Sequence, residues 1–142
     1  MAKKTLRAQC LEAIQLLARL SAANDNGYCQ CVSCDPQNLS SWHHWKDMDG
    51  GHWIPKGSSS FFALDAINVN SQCRPCNRFG QRYGVADAWY TLWMENQYGK
   101  PYVEQMLRDK KKIKKLYAAD YREMLADFKE QIKFHKDRLN GH

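Results

Sequence analysis

Apolar residues recur at steps of three and four near both ends of the 142-residue chain and lose that rhythm in the middle. Leu6, Cys10, Ile14, Leu17 and Leu20 mark one face of a helix predicted over 4–23. Asn24, Asp25, Asn26 and Gly27 end it, because Asn and Gly tolerate a left-handed backbone. From 28 to 72 the helical period breaks, and Pro36, Pro55, Gly50, Gly51, Gly57 and the serines at 58–60 point to loops and short strands. Residues 51–54 and 66–70 are predicted to form a strand pair. Helix returns near Cys76, with an apolar stripe through Val85, Trp89, Leu92 and Trp93. Lys100 and Pro101 open another helix, in which Val103, Met106 and Leu107 are expected to face inward. A last helix is predicted over 117–139 from Tyr117, Tyr121, Leu125, Phe128 and Ile132. An irregular stretch that long in a small protein needs a scaffold besides a hydrophobic core.

The cysteines supply one. Cys31 and Cys34 form one CxxC pair, Cys73 and Cys76 a second, with 38 residues between the pairs. Two intervening residues let both sulfurs of a tight turn reach one ion, and two such turns complete a tetrahedral thiolate site suited to structural Zn²⁺. The affinity of that site becomes folding free energy, on the order of 10 kcal/mol or more. A redox CxxC is the competing assignment, but no thioredoxin-like βαβ pattern surrounds either pair. Cys10 falls on the apolar face of the first helix and reads as core, whereas Cys29 could substitute as a ligand.

Composition is that of a globular protein, with 44% hydrophobic and 25% charged residues. No run of 18 apolar residues is present and the N-terminus lacks a secretory pattern, so a cytoplasmic protein with reduced thiols and no membrane partner is expected. The net charge of +6 is uneven: residues 107–139 hold eleven basic and six acidic side chains. Such an excess attracts phosphate polyanions, or simply forms a solvated helix face.

Between the cysteine pairs lies Asp49-Gly50-Gly51-His52-Trp53-Ile54-Pro55, followed by Asn68-Val69-Asn70 and then by Cys76-Asn77. Hydrolysis of a phosphodiester needs a base to activate water and a divalent ion to hold the scissile phosphate. Histidine is near-neutral at working pH and can be that base. Side-chain oxygens of Asn and Asp suit Mg²⁺.

The order CxxC, GH with a following proline, N, then CxxCN resembles the zinc-stapled HNH, or ββα-metal, nucleases. More closely, the chain resembles the phage NinG (Rap) recombination-protein family, well from Cys31 to about Tyr83 and more loosely in its helical flanks. That resemblance implies a metal-dependent endonuclease cleaving branched recombination intermediates such as Holliday junctions, flaps and D-loops. It also implies phosphodiester hydrolysis to a 5′-phosphate and a 3′-hydroxyl. By position, His52 matches the general base, Asn68 the asparagine that orients it, and Asn77 a ligand of a catalytic Mg²⁺ or Mn²⁺. Many HNH sites carry Asp or His just before the base, where this chain has Gly51; Asp49 is the nearest carboxylate and the candidate second ligand. The CxxCN arrangement is also similar to that of zinc-containing phage Holliday-junction resolvases, which are dimers, so a homodimer is a further expectation.

Blander roles stand beside these. Asn68 and Asn70 could be turn residues, Asn77 a helix N-cap, and Trp42-His43-His44-Trp45 either core or a surface that stacks on DNA. Arg74, Arg78 and Arg82 recur every fourth residue and could form a phosphate-binding stripe, joined by Lys56. Lys110, Lys111, Lys112, Lys114 and Lys115 form a second candidate surface for branched or double-stranded DNA; such contacts position a duplex without reading its sequence. The expected fold is α+β, mostly helical, with a zinc-stapled ββα-metal core. Its expected parts are an N-terminal helix (1–27), the nuclease core (28–83) and a helical C-terminal region (84–142). A non-catalytic zinc-stapled DNA-binding module is the alternative, and a dimerising adaptor built on the last helix is a third.

Overall fold

The computed structural model describes residues 3–79 and 88–140. Thr5 opens the first helix by accepting from the Ala8 N–H at 3.1 Å. In chain order the elements are α1 (Leu6–Ala22), β1 (Tyr28–Gln30), β2 (Trp42–His44), β3 (Met48–His52), β4 (Val69–Cys73), α2 (Arg74–Phe79), α3 (Ala88–Tyr98), α4 (Lys100–Asp109) and α5 (Ala118–Arg138). The fold is α+β, with two small antiparallel sheets, β1–β2 and β3–β4.

Packed clusters, three of them around the candidate site, hold these parts together. The predicted face of α1 buries Cys10, Ile14 and Leu17 against Val69 of β4 and Leu125 and Phe128 of α5, so the two ends of the chain pack together. A second cluster joins Trp53, Ile54 and Phe62, from the β3–β4 connection, to Tyr90 and Met94 of α3 and Val103 and Met106 of α4. The third consists of cysteine side chains with Met48. No helix among the described residues is long and apolar enough to cross a membrane.

Several local expectations need correction. The main strand pair forms, but each strand is displaced from 51–54 and 66–70: β3 ends at His52, and Ala66–Asn68 is a 3-10 turn leading into β4. Trp53 and Ile54 leave the sheet because the apolar cluster takes their side chains, both at most 1% exposed. The β1–β2 pair falls in the stretch expected to hold loops and short strands, but the pattern does not place it, since three-residue strands leave almost no alternation to detect. Leu107 is 36% exposed rather than inward, as α4 turns only Val103 and Met106 to the core. Tyr117 is 70% exposed at the start of α5, where the Asp120 carboxylate accepts from its backbone N–H at 2.8 Å. Val85 lies outside the described residues.

Candidate metal centre and catalytic cleft

The first CxxC lies in a turn between β1 and β2, and the second spans the end of β4 and the start of α2. Backbone hydrogen bonds set the first turn against the sheet: Cys31 N–H donates to Ser41 O at 2.8 Å and Val32 N–H to Ser71 O at 2.9 Å. As a result the four sulfurs of Cys31, Cys34, Cys73 and Cys76 all lie within 4.8 Å of one another. Cys34 Sγ is 3.9 Å from Cys73 Sγ and 3.8 Å from Cys76 Sγ. A tetrahedron with metal–sulfur bonds of about 2.3 Å has edges of about 3.8 Å, so the group is dimensioned for one structural ion such as zinc. Burial pushes the Cys31 thiol up to about 12, and burial also raises Cys34 and Cys76. Cys73 is buried too, but hydrogen bonds from its neighbours carry it below the ordinary thiol value. Protons therefore compete with a metal for most of this site. Cys29 is fully buried against the cluster but is not one of the four converging sulfurs. Cys10 is core, as expected, its thiol donating to Tyr121 O at 3.3 Å.

β3, β4 and α2 form the ββα unit. Their register sets Met48 opposite Cys73, Asp49 opposite Gln72, Gly51 opposite Asn70 and His52 opposite Val69. His52 ends β3 and is 5% exposed. Its Nε2 lies 2.7 Å from Ala63 O, and a carbonyl only accepts, so Nε2 carries the proton and the neutral ring keeps its lone pair on Nδ1. Burial lowers the His52 pKa, the bond to Ala63 opposes that shift, and the charges of Lys56 and Arg7 reinforce it. The histidine is therefore neutral at neutral pH, the state a general base requires.

Asn68 stands one step behind the histidine. It is fully buried; its Oδ1 accepts from Ile54 N–H at 2.9 Å, and its Nδ2 donates to Ile54 O at 2.9 Å and Phe62 O at 3.2 Å. These bonds close the loop that presents the Ala63 carbonyl to His52. Tyr90 of α3 braces the strand from the other side, donating to Gly51 O at 2.7 Å.

His52 and Asn77 line one cavity of about 300 Å³ together with Gln15, Gly50 and Lys56. An adjoining cavity of about 560 Å³ shares Gln15, Gly50, Lys56 and Asn77 and adds Asp49, Glu12, Arg19 and Arg78. Gly50 permits this arrangement: a Cβ there would stand 2.2 Å from Gln15 O, so only glycine lets α1 press onto β3 and form the cleft wall. Asn77 lies inside α2 rather than at its cap, and its Nδ2 donates to Asp49 Oδ2 at 3.1 Å. The proposed pair of cation ligands is thus in contact. Two guanidiniums flank the carboxylate, Arg74 Nε at 3.8 Å and Arg78 Nε at 3.6 Å. The hard-oxygen donors Asp49 and Asn77, beside a neutral imidazole, fit a divalent ion of the Mg²⁺ or Mn²⁺ type.

The basic residues divide into two places. Arg78 and Lys56 are exposed and line the cleft, and the exposed Arg74 borders it through Asp49. Arg82 lies outside the described residues. Lys110, Lys111, Lys112, Lys114 and Lys115 occupy the connection between α4 and α5. That connection rests on the β3–β4 loop, since Lys114 N–H donates to Ser60 Oγ at 3.1 Å and the Lys112 ammonium sits 5.8 Å from the Phe61 ring. In the aromatic–histidine run, Trp45 packs beneath Arg19, 5.3 Å from its ring, whereas Trp42 is exposed. Sequence reasoning missed Gln15, Gln72 and Tyr90. Gln15 and Tyr90 sit within ordinary helical patterns, and Gln72 is a polar residue on a short strand.

No significant match appears among the curated proteins or the solved structures. The family model described as bacteriophage lambda NinG protein matches residues 2–138, nearly the whole chain. With the cysteines of its CxxC and CxxCN motifs gathered into one cluster that could hold a metal ion, this chain belongs to the NinG family of phage recombination proteins.

Proposed function

We propose that this NinG-family protein is a divalent-cation-dependent endonuclease that hydrolyses branched DNA recombination intermediates, with its cysteine cluster loaded with structural zinc. The observation that carries this is the setting of His52. The ring is buried, neutral and held through Nε2 by Ala63 O, and it opens on a cleft shared with Asn77 and Lys56 and adjoining Asp49. In this mechanism His52 Nδ1 takes the proton from the attacking water. Asn68 and Ala63 keep the ring in the tautomer that can do so. Asp49 and Asn77 would hold the divalent ion, which supplies charge stabilisation at the scissile phosphate and the departing 3′-oxygen. Lys56, Arg74 and Arg78 grip neighbouring phosphates, and the lysines of the α4–α5 connection extend that basic surface along the duplex. Such contacts read shape and charge rather than base sequence, which suits a branched substrate.

The test is incubation of the zinc-loaded protein with a Holliday junction, a flap and a linear duplex, with and without Mg²⁺ or Mn²⁺. Branched substrates are expected to be cut only with the ion. His52→Ala should lower the rate by about 10²–10⁴-fold, the usual contribution of a general base. Equal cleavage by wild type and variant, or binding of branched DNA without any cleavage, would remove the catalytic assignment and favour a DNA-binding module.

A further inference from the structure

We infer that Gln72 completes the divalent-cation site, its carboxamide oxygen standing where a side chain at position 51 would otherwise reach. The inference rests on the reading that Asp49 and Asn77 hold that ion.

Gln72 is 1% exposed. Its Nε2 donates to Ser33 Oγ at 2.7 Å, which turns Oε1 the other way. That oxygen is buried with no hydrogen-bond partner among the described residues. It lies 1.4 Å from the point where a Cβ on Gly51 would stand, and Asn77 Oδ1 lies 2.9 Å from the same point. Asn77 donates its Nδ2 to Asp49, and its Oδ1 comes near the same point as the Gln72 oxygen. Two carboxamide oxygens therefore converge beneath Gly51 beside a carboxylate. A buried acceptor is ordinarily paired with a donor, and the described residues supply none to Gln72 Oε1. A hard cation is the partner this donor set fits.

The register explains the geometry. Gln72 pairs with Asp49, and Gly51 is its diagonal neighbour on the same face, within reach of a long side chain. A Cβ at 51 and the Gln72 carboxamide cannot occupy the same space. Gly51 and Gln72 thus act as a matched pair: one removes a side chain from β3 and the other delivers an oxygen from β4.

Mn²⁺ binding to the full-length, zinc-loaded protein, measured by titration calorimetry without DNA, tests this. The variants are Gln72→Met, Gln72→Glu and Asn77→Ala, each checked for zinc content and circular dichroism. Gln72→Met should weaken Mn²⁺ binding roughly tenfold or more, the range seen for groups that shape a metal site. Gln72→Glu should tighten it, because a carboxylate replaces a neutral oxygen donor. If the carboxamide instead donated from Nε2 to Asn77, Gln72→Glu would set two acceptors against each other and weaken binding; that outcome overturns the inference. Unchanged affinity in Gln72→Met with loss in Asn77→Ala also overturns it while leaving the cation site of the proposed function intact. Failure of the wild type to bind Mn²⁺ removes both. Should Gln72→Glu not fold, Gln72→Met decides alone.

Discussion

Replacing Asn68 with alanine strips three hydrogen bonds from a place water cannot reach. The side chain is fully buried, and the groups it serves belong to Ile54, 1% exposed, and Phe62, 4% exposed. The variant would leave the Ile54 N–H and the Ile54 carbonyl without those partners, whereas Phe62 O keeps the Asp65 N–H at 3.2 Å. Each buried orphan costs about 1–3 kcal/mol, and partial relaxation of the loop brings the total for the two to about 2–4 kcal/mol. Against a typical domain stability of about 5–15 kcal/mol, that is a large fraction. Urea unfolding of zinc-loaded wild type and Asn68→Ala, followed by far-ultraviolet circular dichroism, measures the difference if the two slopes agree. Cleavage should fall further than the folded fraction does, because the same loop carries the carbonyl that fixes His52. Asn68→Asp keeps the bond from Ile54 N–H but turns a carboxylate toward two carbonyls, so it should be no more stable than Asn68→Ala. A loss below about 1 kcal/mol, the net value of one ordinary hydrogen bond, would refute the assignment of Asn68 as the clamp of this loop.

Strong chelation of the zinc-loaded protein should erase near-ultraviolet dichroism and much of the far-ultraviolet signal from the middle of the chain; an unchanged spectrum would show that the cysteine cluster is not a structural metal site. Because burial lowers the His52 pKa below its ordinary 6.5, the unfolded chain binds this proton more readily, so the contribution of His52 to stability is full above about pH 6.5 and declines as pH falls toward the folded value. The cleavage rate should for the same reason hold through pH 6.5 and drop only below it; an acidic limb centred well above 6.5 in a pH–rate profile would exclude His52 as the base. Gly50→Ala forces a Cβ against the Gln15 backbone and should cost about 2–3 kcal/mol on thermal or urea unfolding, with a wild-type midpoint contradicting the close α1–β3 contact. Arg74→Ala combined with Arg78→Ala should weaken duplex binding and flatten its salt dependence, read by fluorescence anisotropy across a salt series; an unchanged slope would place the phosphate contacts elsewhere.

The parts of the fold legible in the sequence are those with a long period or a strict spacing. Seventeen residues of α1 repeat their apolar face often enough to be read, and that face is buried as expected. The two CxxC pairs needed only their spacing, since the chemistry of one ion dictates that all four sulfurs meet. The short strands were harder. β3 is Met-Asp-Gly-Gly-His, whose two glycines carry no β-propensity, so its limits are set by pairing with β4 and by the pull of Trp53 and Ile54 into the core beside α3. Gln72 was invisible for a different reason. Its role depends on a diagonal neighbour without a side chain and on a serine 39 positions earlier in the chain, and no local pattern encodes either. Tyr90 likewise reads as one more aromatic on a helix until its hydroxyl is seen to hold the Gly51 carbonyl.

An ion in the four-cysteine cluster would organise both halves of the cleft, and the place of the cysteines in the chain explains how. Cys73 is the last residue of β4, and Cys76 lies in the first turn of α2. Fixing both sulfurs to one ion fixes the angle at which strand passes into helix, and Asn77 follows Cys76 directly. Cys31 and Cys34 bring the other turn to the same cluster, which places Ser33 beside Gln72. The cluster also holds Met48, whose register partner is Cys73, so the start of β3 is anchored one residue before Asp49. Asp49, Gln72 and Asn77 each stand next to an element that the cysteines immobilise. β3–β4 is a two-stranded sheet that is marginal in water. By itself it would not hold oxygen donors to the tolerance of a divalent ion. A metal-loaded cysteine cluster would supply the missing constraint within one or two residues of each proposed ligand, so loss of the structural ion should abolish divalent-ion binding before the α1–α5 packing is disturbed.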